Sequence, residues 1–301
     1  MKIFIIGAGT LGSTTAYLLA ERALADEILL YDDYMHLARH HAMDISQAVC
    51  ASGGTTVRCA LMDEIAGSDI VISACGYPQS DYKNDLAADT KMIAPLVKSV
   101  AETIARYAPC ALVLSLTNPL DTANYLLYKY SGLPRGRFMG FSANDTLRFR
   151  FGIAEYMGIS CENVEAWTVG EHGRSKVNLY STVRVRGNKH DFTFEERQTI
   201  DKLIENRWSS FLNLGIGRTA GWTTCANLIS FIETLLGRRE SMVQCSCVLE
   251  GELGLTGLSI GLPAKIGANG VEEIIFPDMA EDEKHRFIAS ANAIKAAISR
   301  L

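Results

Sequence analysis

His172 stands alone between glycines in GEHG at residues 170–173, directly after the apolar run WTV. A lone histidine is most often structural, yet imidazole is the side chain that exchanges a proton near neutrality, so its companions decide how it is read. SANDTLRFR at 142–150 supplies Asp145 and Arg148 at i and i+3, adjoining positions on one face of a helix that Ser142 would cap. The bland reading of that pair is a surface ion pair worth a few tenths of a kcal/mol. The chemical reading is sharper. A carboxylate on one ring nitrogen fixes the tautomer and stabilises the imidazolium, and a guanidinium is the planar, two-pronged donor for a substrate carboxylate. Asn118, in the TNP that closes ALVLSL, is either an ordinary turn residue before proline or a hydrogen-bonding group for a reacting oxygen at a strand end.

Gly7, Gly9 and Gly12 form GxGxxG. Alone the pattern is weak in a chain with 25 glycines. Here it follows an apolar run and opens a helical pattern, and Asp32 ends the next apolar run, which completes the dinucleotide fingerprint. The first glycine permits the tight turn, the second lets backbone approach a pyrophosphate, and the third lets helix pack on strand with its N-terminus toward the phosphates. Asp32 would accept hydrogen bonds from ribose hydroxyls and repel a 2'-phosphate, which favours NAD over NADP. A cofactor that takes a hydride completes the chemistry of the histidine set: a secondary alcohol loses its hydride while a base near neutrality takes the hydroxyl proton.

These residues need a scaffold that brings them together. KIFII at 2–6, a helical pattern over 13–25, EILLYDD, DIVISA, a helical pattern over 91–109 and ALVLSL alternate strand and helix. Ile93, Val97, Val100 and Ile104 fall on one face of the second of these helices. The alternation predicts an α/β first half, a doubly wound parallel sheet of the Rossmann type. Beyond about residue 142 alternating segments such as STVRVRG and LSIGLPAKIGANGVEEIIF predict antiparallel strands in a mixed α+β second domain. The expected division is 1–142 for dinucleotide binding and 143–301 for substrate. A final helix would carry Phe287, Ala291, Ile294, Ile298 and Leu301 on one stripe, and the apolar 223–236 would be buried in a core or an interface.

Composition narrows the class. With 301 residues, 48% hydrophobic and 21% charged, the chain is globular, and a formal charge of -5 offers no pull toward nucleic acid or anionic membrane. The eight cysteines include no CxxC pair, which argues against zinc, and no apolar stretch is long enough to span a bilayer. Free thiols and the absence of a leader point to the cytoplasm.

Taken together, GAGTLG, the YD at 31–32, AMDISQA, TNPLD, DTLRFR, GEHG and GLPAKIGANGVEEI resemble, in order, the L-lactate/L-malate dehydrogenase family, which includes the L-2-hydroxyisocaproate dehydrogenases. The resemblance spans nearly the whole chain. It implies His172 as proton donor and acceptor, Asp145 as its partner, Arg148 as the clamp on substrate carboxylate, and Asn118 as a contact to substrate and nicotinamide. It places Gly7, Gly9, Thr10, Leu11, Gly12, Asp32, Gly76 and Asn118 around NAD, with no metal, and implies a homodimer or homotetramer.

The departures concern CGYPQSDYKNDL at 75–86. The family's loop here is about two residues longer and carries an arginine in S/T-R-x-D/N-L, whereas this chain has Lys83, which keeps the charge and loses the fork. Gln79 aligns with the family's specificity position, and a neutral glutamine leans toward a monocarboxylic 2-oxo acid. Arg174 follows GEHG where the family has aspartate, and an inward cation there would lower the histidine pKa. Glu165 replaces the histidine that, with the counterpart of Arg150, binds an activating sugar bisphosphate in allosteric lactate enzymes. The expectation is thus an NAD-dependent L-2-hydroxy acid dehydrogenase of the lactate type. L-malate dehydrogenase is the alternative within the class, and an NAD-binding homologue without catalysis is the alternative outside it.

Overall fold

The computed structural model describes residues 1–51, 54–78, 81–216, 221–239 and 242–301. In chain order the first half runs β1 (Lys2–Ile6), α1 (Thr10–Glu21), β2 (Glu27–Tyr31), α2 (Met35–Ala48), β3 (Thr56–Cys59), β4 (Ile70–Ser73), α3 (Leu86–Tyr107), β5 (Leu112–Ser115), α4 (Leu120–Ser131) and β6 (Phe138–Gly140). The second half continues with α5 (Ala143–Met157), β7 (Val164–Val169), β8 (Val177–Val185), β9 (Asn188–Lys189), α6 (Phe194–Asn213), α7 (Gly221–Leu235), β10 (Val243–Glu250), β11 (Thr256–Gly267), β12 (Gly270–Ile274) and α8 (Glu281–Ile298).

Among the described residues β3, β2, β1, β4, β5 and β6 lie side by side and parallel, and antiparallel β10, β11 and β12 extend the same sheet beyond β6. The strands are apolar on both faces because both faces are covered. Alternation sends Ile3, Ile5, Ile28, Leu30 and Ile72 into the core beneath α1, α2 and α7, while Phe4, Ile6, Leu29, Val71 and Val113 enter the core beneath α3 and α4. The strand order reverses at β1, which pairs with β2 on one side and β4 on the other. At such a reversal the loops leaving the two strands part and open a crevice at their carboxyl ends. The glycine turn and the Cys75 loop are the two loops that part here.

The second half packs onto the first through α7, which lies against α1 and the sheet. β7, β8 and β9 form a separate antiparallel sheet, α5 and α6 pack on it through Phe149, Ile153 and Ile200, and α8 packs behind β11 through Phe287, Ala291 and Ile294. Three expectations shift at element ends. Leu301 lies beyond α8 and is exposed, so the stripe stops at Ile298. Helix α3 begins at Leu86 rather than near 91, because Asp85 caps it by accepting from the Ala88 N–H at 2.8 Å. Ser142 does stand at the N-cap of α5, but its hydroxyl does not cap, and Asp145 closes the turn only through its backbone N–H to the Ser142 carbonyl at 3.0 Å. For 223–236 the core reading holds: Leu228, Ile229, Phe231 and Ile232 are buried against the sheet.

Candidate active site

Four successive backbone N–H groups fix the GEHG turn, each on a different anchor. Gly170 donates to Gly261 of β11 at 2.9 Å, Glu171 to Ser290 of α8 at 2.8 Å, His172 to Asp121 of α4 at 2.6 Å, and Gly173 to the Glu171 carbonyl at 2.8 Å. Gly170 has φ of +93°, and a Cβ there would lie 2.9 Å from Ser290 Oγ, so only glycine fits both the backbone and the packing. A turn held this way has one orientation, and the imidazole inherits it.

The ring of His172 meets Asp145 at 2.5 Å between Nδ1 and Oδ2. The carboxylate side chain is 3% exposed and the imidazole 21%. Arg148 Nη1 lies 3.7 Å from the other oxygen of Asp145. Burial favours the neutral forms of both members of the pair, but each outweighs it for the other. The Asp145 charge and hydrogen bond, helped by Asp121 and opposed by Arg148, raise the His172 pKa above its ordinary value. The His172 charge and hydrogen bond, with Lys176 and Arg148, hold Asp145 below the usual carboxylate range. Arg174 is exposed, and the cation opposing the imidazolium is Arg148. With Asp145 ionised, Nδ1 carries the proton of the pair and Nε2 is the atom left to exchange one with a substrate.

The glycine turn is built as the fingerprint requires. A Cβ on Gly12 would sit 1.8 Å from the Gly7 carbonyl oxygen, and one on Gly7, at φ of +100°, 2.6 Å from the Ala74 carbonyl oxygen. A Cβ on Gly9 would meet no protein atom within 4 Å. Packing therefore demands glycine at 7 and 12, while at 9 the free space lies before the first N–H groups of α1 at Thr10, Leu11 and Gly12, which helix geometry leaves without intrahelical partners. Asp32 braces this turn: Oδ2 accepts from the Ala8 N–H at 2.8 Å and Oδ1 from the Tyr34 N–H at 3.0 Å. A carboxylate keeps further lone pairs for hydroxyl donors. The residues present thus fit a dinucleotide, with free space where a diphosphate would lie and an acid where a ribose would lie.

Asn118 is exposed at the end of β5 and joined to Pro119 by a cis peptide bond. Its carbonyl accepts from Tyr82 OH at 3.2 Å, and Gly76 lies under the same phenol, where a Cβ would come within 3.1 Å. Tyr82, in the position where the family has serine or threonine, is a contact that spacing did not single out. Lys83 is exposed, and its backbone N–H donates to Asp89 Oδ1 at 2.8 Å. Gln79 lies outside the described residues. Asp121 is the other residue missed: TNPLD contains it, but only the folded chain brings it beneath His172. Arg150 turns toward the second sheet, with Nε on the Ala166 carbonyl at 3.1 Å and its guanidinium over the Trp167 ring.

Two family models match this chain in succession, the lactate/malate dehydrogenase NAD binding domain over residues 1–140 and the lactate/malate dehydrogenase alpha/beta C-terminal domain over residues 144–301. The chain belongs to the lactate/malate dehydrogenase family. Among relatives, it is 31% identical to the malate dehydrogenase of Bacteroides fragilis over 97% of this chain and 95% of that one. It is 33% identical to that of Bacteroides thetaiotaomicron over the same shares. Among solved structures, the Cryptosporidium parvum malate dehydrogenase superposes with a TM-score of 0.92 at 28% identity, covering 100% of this chain and 98% of that one. The Cryptosporidium parvum lactate dehydrogenase, solved with lactic acid and nicotinamide adenine dinucleotide, gives 0.92 at 29% identity over 99% and 97%. This lactate/malate dehydrogenase family member is therefore an oxidoreductase of hydroxy acids with an NAD-binding domain, and among its described residues no helix is long and apolar enough to cross a membrane and no cluster could hold a metal ion.

Proposed function

We propose that this chain is an NAD-dependent L-2-hydroxy acid dehydrogenase with L-malate and oxaloacetate as its substrate pair. The observation that carries the chemistry is the His172–Asp145 pair at 2.5 Å beside Arg148. NAD, when bound, supplies or accepts the hydride. It would be held by the turn of Gly7, Gly9, Thr10, Leu11 and Gly12, by Asp32, and by Gly76 and Asn118. In reduction, His172 gives its Nε2 proton to the 2-oxo oxygen and Asp145 keeps the ring oriented. In oxidation, the neutral ring takes the hydroxyl proton back. Arg148 grips the substrate carboxylate in a bidentate pair, while Asn118 and Lys83 polarise the reacting carbonyl. Residues 1–142 and 143–301 serve as cofactor and substrate domains, and the protein works in the cytoplasm as a homodimer or homotetramer.

The curated relatives support malate better than the lactate-type expectation, which leaned on Gln79. Lys83 and Arg174, both exposed, are the cations available for a second carboxylate. The test is NADH consumption with oxaloacetate, pyruvate and branched 2-oxo acids, repeated with NADPH and with His172→Ala. Oxaloacetate with NADH is expected to lead, and His172→Ala to lose ~10²-fold or more in turnover while still binding NADH. Pyruvate in the lead would restore the lactate-type reading. Binding of NADH with no acid consumed would identify a non-catalytic homologue.

A further inference from the structure

We propose that Asp121 is a positioning residue for the acid–base step at His172: its carboxylate, sealed beneath the GEHG turn, clamps the His172 backbone and sets a second negative charge behind the imidazole. The inference rests on the reading of His172 as the proton carrier.

Asp121 lies in the first turn of α4 and is 2% exposed. Oδ2 accepts from the His172 N–H at 2.6 Å and Oδ1 from Ser246 Oγ at 2.5 Å. Ser246 Oγ is 2.9 Å from Ser259 Oγ, which accepts from Asn124 Nδ2 at 2.9 Å, and all three of these residues are fully buried. The hydrogen bonds alone do not explain an aspartate. An asparagine could accept from the same backbone N–H and turn its amide toward Ser246, without burying a charge among neutral partners. What the carboxylate adds is the charge, and its neighbour is the one ring in the site whose own charge must come and go.

The groups facing that ring are Asp145 and Arg148 from α5 and Asp121 from α4, while Glu171 of the same turn faces Asp121. Burial pushes the Asp121 carboxyl up to about 7, against the opposing pull of Ser246, the His172 amide and the His172 charge. In return Asp121 adds to the raised pKa of His172. Proton occupancy of the two groups is coupled: an ionised Asp121 favours the imidazolium, and a neutral one releases it.

The test compares full-length wild type with Asp121→Asn, which keeps the shape and removes the charge. The ring titration of His172 is followed by NMR on histidine-labelled protein, its resonance identified by loss in His172→Gln. Asp121→Asn is expected to lower the His172 pKa by about one unit and to move the alkaline limb of reduction kcat/KM down with it. Ser246→Ala, which keeps the carboxylate but withdraws its hydroxyl donor, should move the same titration the same way by less. A His172 titration unmoved in a folded Asp121→Asn protein overturns the proposal, as does an unmoved titration in Ser246→Ala if Asp121→Asn does not fold. The NMR readout needs no turnover. A wild type that consumes no NADH with any 2-oxo acid would overturn the dehydrogenase reading alone.

Discussion

At the residue scale the site is governed by one pair whose members shift each other in opposite directions. His172, raised, contributes stability that is fully present below the unfolded value of about 6.5 and is lost as pH rises through its folded pKa. Asp145, lowered, contributes stability present above about 3.9 and lost as pH falls through its folded pKa. The pair therefore stabilises most between roughly pH 4 and 6.5. Asp145→Asn should cost about 3 kcal/mol there, at the low end for a broken buried pair because His172 keeps some exposure, and the deficit should shrink above neutrality. Thermal unfolding of both proteins across pH reads this directly. A deficit that does not vary with pH would mean that the pair is not ionised as described.

At the element scale, the glycine turn separates packing from binding. Gly12→Ala drives a Cβ against the Gly7 carbonyl and should lower stability by about 1–3 kcal/mol, because helix and strand must part. Gly9→Ala meets only open space, so it should leave the melting temperature in place while weakening NADH binding in a fluorescence titration. Equal losses of stability in both variants would remove the distinction. The loop at 75–85 carries its own prediction. Tyr82→Phe deletes the hydrogen bond to the Asn118 carbonyl, worth about 1 kcal/mol, and should raise KM for the 2-oxo acid roughly fivefold, with a smaller change in kcat. An unchanged KM would make that phenol a bystander.

The molecule as a whole joins two unlike halves, and the chain continues its parallel sheet with three antiparallel strands to do so. Regulation belongs at this scale. With Glu165 exposed beside Arg150, and Arg150 turned onto Trp167, a sugar bisphosphate should not lower the apparent KM in steady-state assays. A marked drop would show that the acidic residue does not block such a site.

Local pattern determined a good deal of this. The glycine turn, the acid closing β2 and the strands of the first sheet follow from backbone sterics and two-sided burial, which act over a few residues and leave a readable period. The grouping of His172, Asp145 and Arg148 follows the sequence reading as well, since these are residue types that hydroxy-acid oxidation asks for and the fold brings them together. Tertiary structure alone decided how they act. Ser142 holds the N-cap position of α5, yet its hydroxyl makes no capping bond there, which spacing alone does not show. The exposure of Arg174 likewise depends on what surrounds it, whereas the beginning of α3 at Leu86 is a local matter of the Asp85 cap. Asp121 lies far from His172 along the chain, and nothing in TNPLD marks its carboxylate as bound for the floor of GEHG. Hydrogen bonds and charges act through space, so the partners that set a proton's affinity are fixed only when the chain has closed on itself.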